Sequence, residues 1–149
     1  MLNYIDIPIK EIHGDLKQSR RNSVYYEFLN MEKGILFCTD IAQRGLDFPD
    51  IDLIIQYDCP RDTSEYIHRV GRTARGAFGK GKGLLVLLEN EKNMVKHLEN
   101  AKIYLDEYEI PNEKLIDILE KFQKLIRINI SLEELAYEAY KSYIFVKKI

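Results

Sequence analysis

The sequence predicts an α/β protein built on a parallel β-sheet. Short, continuous apolar segments, which are typical of strands buried on both faces, alternate with segments whose apolar residues recur at helical spacing. The predicted strands are residues 35–39, 52–57 and 83–88. Strands and helices that alternate at this rhythm form βαβ units, in which the strands run parallel and helices cover the sheet.

The other elements of this part follow from spacing and from local signals. Residues 7–12 form a strand candidate that Pro8 weakens, because proline donates no hydrogen bond to a strand ladder. Helices are predicted for residues 18–30, 64–75 and 91–101. Thr63 or Ser64 is expected to cap the second of these helices, since a hydroxyl can accept a hydrogen bond from the first turn.

The character of the chain changes after residue 101. Residues 104–111 are expected to be extended, because Pro111 disfavours helix just before it. Pro111 also suits the first position of a following amphipathic helix. Ser131 and Glu134 have the spacing of a capping box that opens a last helix. The sequence therefore divides into residues 1–103 and a helical appendage of residues 104–149.

Composition limits the classes of protein that the chain can belong to. A hydrophobic content of 46% and a charged content of 31% over 149 residues are those of a globular domain. A net charge of −2 means that any site for a polyanion must come from local clustering of charge. Cys38 and Cys59 have no CxxC partner, so we interpret them as reduced core thiols of an intracellular protein. No secretory signal or membrane-length apolar stretch is present, and no membrane partner is expected.

The most informative segment is a run of arginines in the second predicted helix. Arg69, Arg72 and Arg75 recur every third residue behind His68, and no acidic residue lies within the run. On a helix Arg72 and Arg75 would point to the same side, where two guanidinium forks match phosphate oxygens. The alternative is a solvated basic helix face, but Gly71 would weaken such a helix without purpose.

A second basic segment precedes the first predicted helix. Gly14 lets the backbone approach a partner closely, and Arg20 and Arg21 add positive charge at a helix start that favours phosphate. An ordinary strand-to-helix turn with a solvated basic first turn explains the same residues.

A third segment follows the strand of residues 35–39. Thr39 can donate to a phosphate oxygen, Gly45 frees the backbone, and the Asp47 carboxylate suits hydrogen bonding to ribose hydroxyls. The alternative is structural: Asp40 pairs with Arg44 to shape a loop, and Asp47 begins a turn.

Together these segments resemble the second RecA-like lobe of DEAD-box RNA helicases, over residues 4 to about 101. The matching segments are residues 13–21 (the QxxR motif), 39–47 (motif V), 58–60 and 66–76 (motif VI). Gln43 stands where the family usually has alanine, and Phe48 is bulkier than the usual aliphatic residue. The resemblance implies a three-layer RecA-like sheet of the P-loop NTPase type. That sheet would be truncated at its N-terminus, because the family's first strand should precede residue 1.

The resemblance also implies roles for individual residues. Arg72 and Arg75 would be arginine fingers for the γ-phosphate of ATP bound to the other lobe. His68 would help to link the attacking water to the acidic motif of that lobe. Gly45 and Asp47 would contact the nucleotide, with Asp47 holding the ribose. RNA-backbone contacts would come from Gly14, Gln18, Arg21, Thr39 and Arg44.

The chain contains no phosphate-binding Gly-Lys-Ser/Thr loop and no Asp-Glu-Ala-Asp sequence. By the resemblance, ATP and Mg²⁺ would therefore be held mainly by an N-terminal lobe, with no metal site here, and this chain alone would be inactive. The expected partners are that lobe and RNA, bound without regard to sequence. The alternatives are a noncatalytic RNA- or protein-binding module on a RecA scaffold, and a lobe of a DNA helicase or chromatin remodeller.

The tail resembles the extension of nucleolar helicases that assemble the large ribosomal subunit. This implies ribosome biogenesis, pre-ribosomal protein partners, and a nuclear or nucleolar location if the organism is a eukaryote. Loss of a strand would leave a sheet edge exposed, so we also expect some tendency to dimerise.

Overall fold

The first unit of the structure is α/β and the second is helical. Contacts divide the chain into these two compact units, one ending at Asp106 and the other beginning at Glu107. Within the part of the chain that is described, no helix has the length and apolar character needed to cross a bilayer. The computed structural model describes residues 8–40, 46–48, 51–74 and 79–147.

Strands and helices alternate in the first unit, as the sequence predicts. Its elements are β1 (Ile9–Ile12), α1 (Gln18–Leu29), β2 (Ile35–Cys38), β3 (Leu53–Gln56), α2 (Thr63–Val70), β4 (Lys82–Leu85) and α3 (Asn93–Asn100). The second unit contains a 3₁₀ turn (Asn112–Lys114), α4 (Leu119–Arg127) and α5 (Ile130–Lys147).

All strand pairs in the described residues are parallel, which confirms the predicted fold class. β1 pairs with β2, with Ile9 opposite Ile35, and β3 pairs with β4, with Leu53 opposite Lys82. The described strands form two sheets of two strands each.

The prediction that the central strands are buried on both faces is wrong. In β2, Ile35 is 44% exposed and Phe37 53%; in β3, Leu53 is 47% exposed and Ile55 56%. Within the described residues β2 and β3 each pair with one neighbour, so one long edge of each strand lacks a partner there. The prediction that Cys38 lies in the core is also wrong, because this residue of β2 is exposed.

The first unit has two apolar clusters. One is centred on Ile12, Val24 and Phe48 and joins β1 to α1. The other is centred on Tyr66, Met94 and Leu98 and joins α2 to α3. Because Leu98 is fully buried, its burial stabilises the fold by about 2 kcal/mol.

Helix α2 is shorter than predicted. It ends at Val70 with Gly71 as C-cap, although the sequence pattern extends it to residue 75. The left-handed backbone of Ala74 (φ 53°) is incompatible with a continuing helix. The N-cap is Asp62, whose carboxylate accepts a hydrogen bond from the Glu65 N–H at 2.8 Å, rather than Thr63 or Ser64.

Two boundaries in the second unit also differ from prediction. The amphipathic helix begins at Leu119, and only a 3₁₀ turn follows Pro111. The last helix starts at Ile130, before Ser131, and its first turn is capped by Asn129, whose side-chain oxygen accepts from the Leu132 N–H at 3.2 Å. Asparagine is as good an N-cap as serine.

Candidate functional site

Arg21 closes the loop before α1 onto the helix. Its Nη2 donates to the Gly14 carbonyl (2.9 Å), its Nε to the Leu16 carbonyl (2.8 Å), and its Nη1 to the Gln18 side-chain oxygen (3.3 Å). Gly14 and Gln18 are exposed. The structure thus brings together three residues that the sequence predicts to contact RNA. Arg21 holds the other two in place through its hydrogen bonds.

The exposed Thr39 follows β2, and its N–H bonds to the Ile12 carbonyl at the end of β1. The next residue, Asp40, accepts two hydrogen bonds from Arg69, from Nε at 2.8 Å and from Nη2 at 3.1 Å. Arg69 Nη1 also donates to the Asp58 carbonyl at 2.8 Å, just beyond β3. One guanidinium therefore ties the carboxyl ends of β2 and β3 to helix α2.

The buried Glu65 anchors the same network from within α2. Its carboxylate accepts from Arg69 Nη2 at 3.3 Å and from the Arg61 N–H at 2.7 Å. Burial by itself would raise the pKa of Glu65, but the hydrogen bonds from Arg61 and the charge of Arg69 outweigh it and lower the pKa to about 2. Glu65 is therefore ionised under all ordinary conditions.

Arg72 lies one residue beyond the C-cap of α2, so the prediction that it sits on a helical turn is wrong. Its Nε donates to the carbonyl of His68 at 3.2 Å, which places it beside the last turn of α2. A Cβ at Gly71 would come 2.9 Å from the Ile67 carbonyl, so this position needs glycine for close packing. Among the described residues no carboxylate forms an ion pair with Arg72, whereas Arg69 has two such partners.

The segment that follows Arg72 is fixed to β3 and β4. Thr73 is buried, its hydroxyl donates to the Ile51 carbonyl, and the two residues form a parallel bridge. A Cβ at Gly81 would come 1.9 Å from the Thr73 hydroxyl oxygen. Only glycine lets the chain before β4 pass this close to Thr73.

Asp47 is exposed, and its backbone is held by α1. Its carbonyl accepts a hydrogen bond from the Tyr25 hydroxyl at 2.5 Å. The neighbouring Phe48 is only 4% exposed and packs into the cluster of Ile12 and Val24. Asp47 is therefore at the surface, on a backbone that is held through its own carbonyl and through the buried Phe48.

Apart from Thr39, which follows β2, the predicted site residues that the structure describes fall into three groups. Gly14, Gln18 and Arg21 are joined by hydrogen bonds at the start of α1, and His68 and Arg72 share the end of α2. Asp47 is linked to α1 through Tyr25. Arg44, Gly45 and Arg75 lie outside the described residues.

Sequence reasoning missed two structural partners. It treated the arginines as lacking local carboxylates, but Arg69 pairs with Glu65 at i−4 and with Asp40 across the fold. The Glu65–Arg69 spacing was a readable signal, because residues four apart face each other on a helix. The proposed Asp40–Arg44 pairing gave no hint of Arg69, and no local pattern could have linked Tyr25 to Asp47.

The described residues of the site offer groups that suit a polyanion. An arginine without an ion-pair partner among the described residues suits phosphate, and an exposed carboxylate suits hydroxyl groups. In the part of the chain that the structure describes, no group of three or more His, Cys, Asp or Glu side chains could hold a metal ion. The described side chains therefore fit a ligand that carries phosphate and hydroxyl groups.

This fold is that of a class of domains found in helicases. The chain belongs to the family described as the helicase conserved C-terminal domain, which matches residues 1–77. Its structure is similar to Mss116p DEAD-box helicase domain 2 bound to an RNA duplex, with a TM-score of 0.63 and 33% identity over 91% of this chain and 57% of that one. A DEAD box protein from Methanococcus jannaschii gives a TM-score of 0.65 and 35% identity over 72% of this chain and 30% of that one. The predicted RecA-like lobe of the DEAD-box type is thereby confirmed.

Individual proteins are similar over nearly the whole chain. The probable ATP-dependent RNA helicase ddx18 of Dictyostelium discoideum is 54% identical over 97% of this chain and 24% of its own length. The ATP-dependent RNA helicase HAS1 of Saccharomyces cerevisiae is 49% identical over 97% of this chain and 28% of its own length. The chain thus spans about a quarter of the length of the relatives that it matches.

Proposed function

We propose that the chain is the C-terminal lobe of an ATP-dependent RNA helicase of the DEAD-box type, which remodels or unwinds RNA. The lobe supplies arginine fingers and RNA-backbone contacts to a site completed by an N-terminal lobe. The proposal extends to this chain what the names of its relatives state of those proteins.

The proposal rests on a difference in ion pairing between Arg69 and Arg72. Arg69 takes up the carboxylates of Asp40 and Glu65, whereas Arg72 has no carboxylate partner among the described residues. An arginine kept out of ion pairs and anchored beside His68 is available to a phosphoryl group. In this proposal Arg72 and Arg75 stabilise the charge on the γ-phosphate, and His68 helps to link the attacking water to the acidic motif of the N-terminal lobe.

The nucleotide sugar and the RNA are assigned to other residues. Asp47, beside Gly45, accepts hydrogen bonds from the ribose hydroxyls. Gly14, Gln18, Arg21, Thr39 and Arg44 contact or support the RNA backbone. Backbone contacts of this kind carry no base information, so binding is blind to sequence. Mg²⁺ and most of the ATP belong to the N-terminal lobe, because the sequence here has no phosphate loop and no acidic quartet.

The test is Arg72→Lys in the intact protein, since lysine keeps the charge and loses the fork. RNA-stimulated ATP hydrolysis should fall by about 10³-fold or more, the contribution of an arginine finger. The matched control is Arg127→Lys, at an exposed arginine of α4, which should hydrolyse ATP at the normal rate. Normal hydrolysis by Arg72→Lys would exclude the proposed role.

We propose further that residues 1–103 form the lobe and residues 104–149 an extension used in assembly of the large ribosomal subunit. The similarity to ddx18 and HAS1 supports this, because it covers 97% of the chain and so reaches into the extension. Pre-ribosomal proteins would be partners, and the protein would be nucleolar in a eukaryote. Co-sedimentation of the intact protein with large-subunit precursors, lost when 104–149 is deleted, is the measurement that checks it.

We also propose that the isolated chain self-associates through its strand edges. The exposed apolar side chains of β2 and β3, such as Phe37 and Ile55, support this, because unpaired edges template pairing with another chain. Such a dimer would be non-native. Analytical ultracentrifugation should detect it at high concentration, and Phe37→Lys should weaken it; a purely monomeric chain contradicts the proposal.

A further inference from the structure

Tyr25 connects two regions of the first unit that lie far apart in sequence. Its hydroxyl donates to the Asp47 carbonyl across 22 residues, at 2.5 Å. The same ring packs edge-to-face against Phe48, with ring centroids 5.2 Å apart. A hydrogen bond and a ring contact thus act on two consecutive residues, so the backbone at Asp47 follows any movement of Tyr25.

Packing around Phe48 strengthens this connection. Phe28, one turn further along α1, forms a second edge-to-face contact with Phe48, with ring centroids 6.0 Å apart. Phe48 is buried in the cluster that contains Ile12 and Val24. An aliphatic residue at position 48 would keep the burial but lose both ring contacts, each of which contributes a specific geometry beyond area.

The other end of α1 carries the loop assigned to RNA. Arg21 lies four residues before Tyr25, on the same side of the helix, and holds the Gly14 and Leu16 carbonyls. A helix of 12 residues is a rigid rod about 18 Å long. Helix α1 is therefore a rigid connection between the Gly14 loop and Tyr25.

We propose that Tyr25 is a positioning residue that couples RNA at the start of α1 to ribose recognition by Asp47. The inference rests on the proposed function, which assigns RNA to the Gly14 loop and the ribose to Asp47. RNA that orders the loop also sets α1, and α1 sets the carboxylate through Tyr25. Because coupling between two ligands is reciprocal, ribose contacts strengthen RNA binding by the same factor.

The test uses the intact protein and compares ATP with 2′,3′-dideoxy-ATP, which lacks the ribose hydroxyls. The dissociation constants of both nucleotides are measured with and without single-stranded RNA, for the wild type and for Tyr25→Phe. The wild type should prefer ATP, and RNA should enlarge that preference. Tyr25→Phe removes one hydroxyl, and the enlargement by RNA should shrink by about three- to tenfold, the value of one hydrogen bond.

Two further variants complete the design. Tyr26→Phe removes the hydroxyl of the adjacent tyrosine, which is 63% exposed, and should behave as the wild type. Phe48→Leu keeps the hydroxyl of Tyr25 and loses the ring contacts, so it should lower the coupling by an independent route. A merely structural role of Tyr25 would lower the affinity for both nucleotides equally and leave the effect of RNA unchanged.

The outcomes separate this inference from the function beneath it. If the wild type does not discriminate between the two nucleotides, the ribose role of Asp47 is wrong and the coupling falls with it. If the wild type discriminates and RNA enlarges the preference, but Tyr25→Phe retains the full enlargement, only the positioning role of Tyr25 is overturned. If RNA leaves the preference of the wild type unchanged, no coupling exists for Tyr25 to carry.

Discussion

The Arg69 guanidinium holds the Asp40 carboxylate in two parallel contacts, at 2.8 and 3.1 Å, across 29 residues of sequence. This pair joins the end of β2 to α2, the helix that leads to Arg72. Because the side chain of Arg69 is 19% exposed, the charges are only partly screened by water. The pair therefore helps to fix the end of α2, which Arg72 follows.

Arg69→Lys should lower the free energy of unfolding by about 1–3 kcal/mol. Lysine cannot bind Asp40 in a bidentate manner and also reach the Asp58 carbonyl. The loss stays below that of a fully buried pair because Asp40 is 46% exposed. Urea denaturation measures the change, and Glu89→Gln, which breaks a surface pair, should change stability by less than about 1 kcal/mol. Equal losses in the two variants would contradict the structural role of Arg69.

The stability of the first unit should fall at acid pH through Glu65. Its pKa is about 2 in the folded chain against 4.5 for an unperturbed group, so folding favours the ionised form. The stabilisation is complete above pH 4.5 and is lost as the pH falls toward 2; it amounts to at most about 3 kcal/mol. Unfolding free energies measured between pH 7 and pH 2.5 should converge for the wild type and Glu65→Gln, and a constant difference would refute the assignment.

Gly81→Ala should destabilise the first unit by about 1–3 kcal/mol. The added methyl group would stand 1.9 Å from the Thr73 hydroxyl oxygen and 2.9 Å from the Ala74 nitrogen, so the chain must shift. Gly14→Ala is the matched control, because a Cβ there has no heavy atom within 4 Å. Thermal unfolding of both variants checks this, and a normal melting temperature for Gly81→Ala would show that the segment relaxes freely.

The isolated chain should not hydrolyse ATP, with or without RNA. It carries the residues assigned to transition-state charge but no loop that cradles the phosphates. Phosphate release is the measurement, and the intact protein is the positive control. Turnover by the isolated chain at the rate of the intact protein would mean that the site is complete without a second lobe.

Much of the fold could be predicted because its signals are local. The apolar runs located β2 and β3, and the helical spacing located α1 almost to the residue. The burial of the strands could not be predicted, because it depends on which other elements cover the two faces of each sheet. The end of α2 was also predicted too late. The helical spacing of the arginines continues to residue 75, whereas the helix ends at Val70 and Ala74 has a left-handed backbone.

The candidate site divides in the same way. Residue types, spacing and the resemblance to family motifs led to the prediction that Arg72, His68 and Asp47 are site residues, because each motif is a short segment. The sequence did not show that Arg69 pairs with Asp40 while Arg72 does not, because only the fold brings Arg69 and Asp40 together.

The sequence by itself identified a RecA-like lobe through its resemblance to family motifs, and it predicts which side chains bind phosphate and ribose, since each motif lies within a short segment. The tertiary structure decided which arginine is neutralised, which strand faces are exposed, and how Tyr25 reaches Asp47. The contact of Tyr25 with Asp47 joins residues 22 positions apart and that of Arg69 with Asp40 joins residues 29 apart, and no local pattern encodes such contacts.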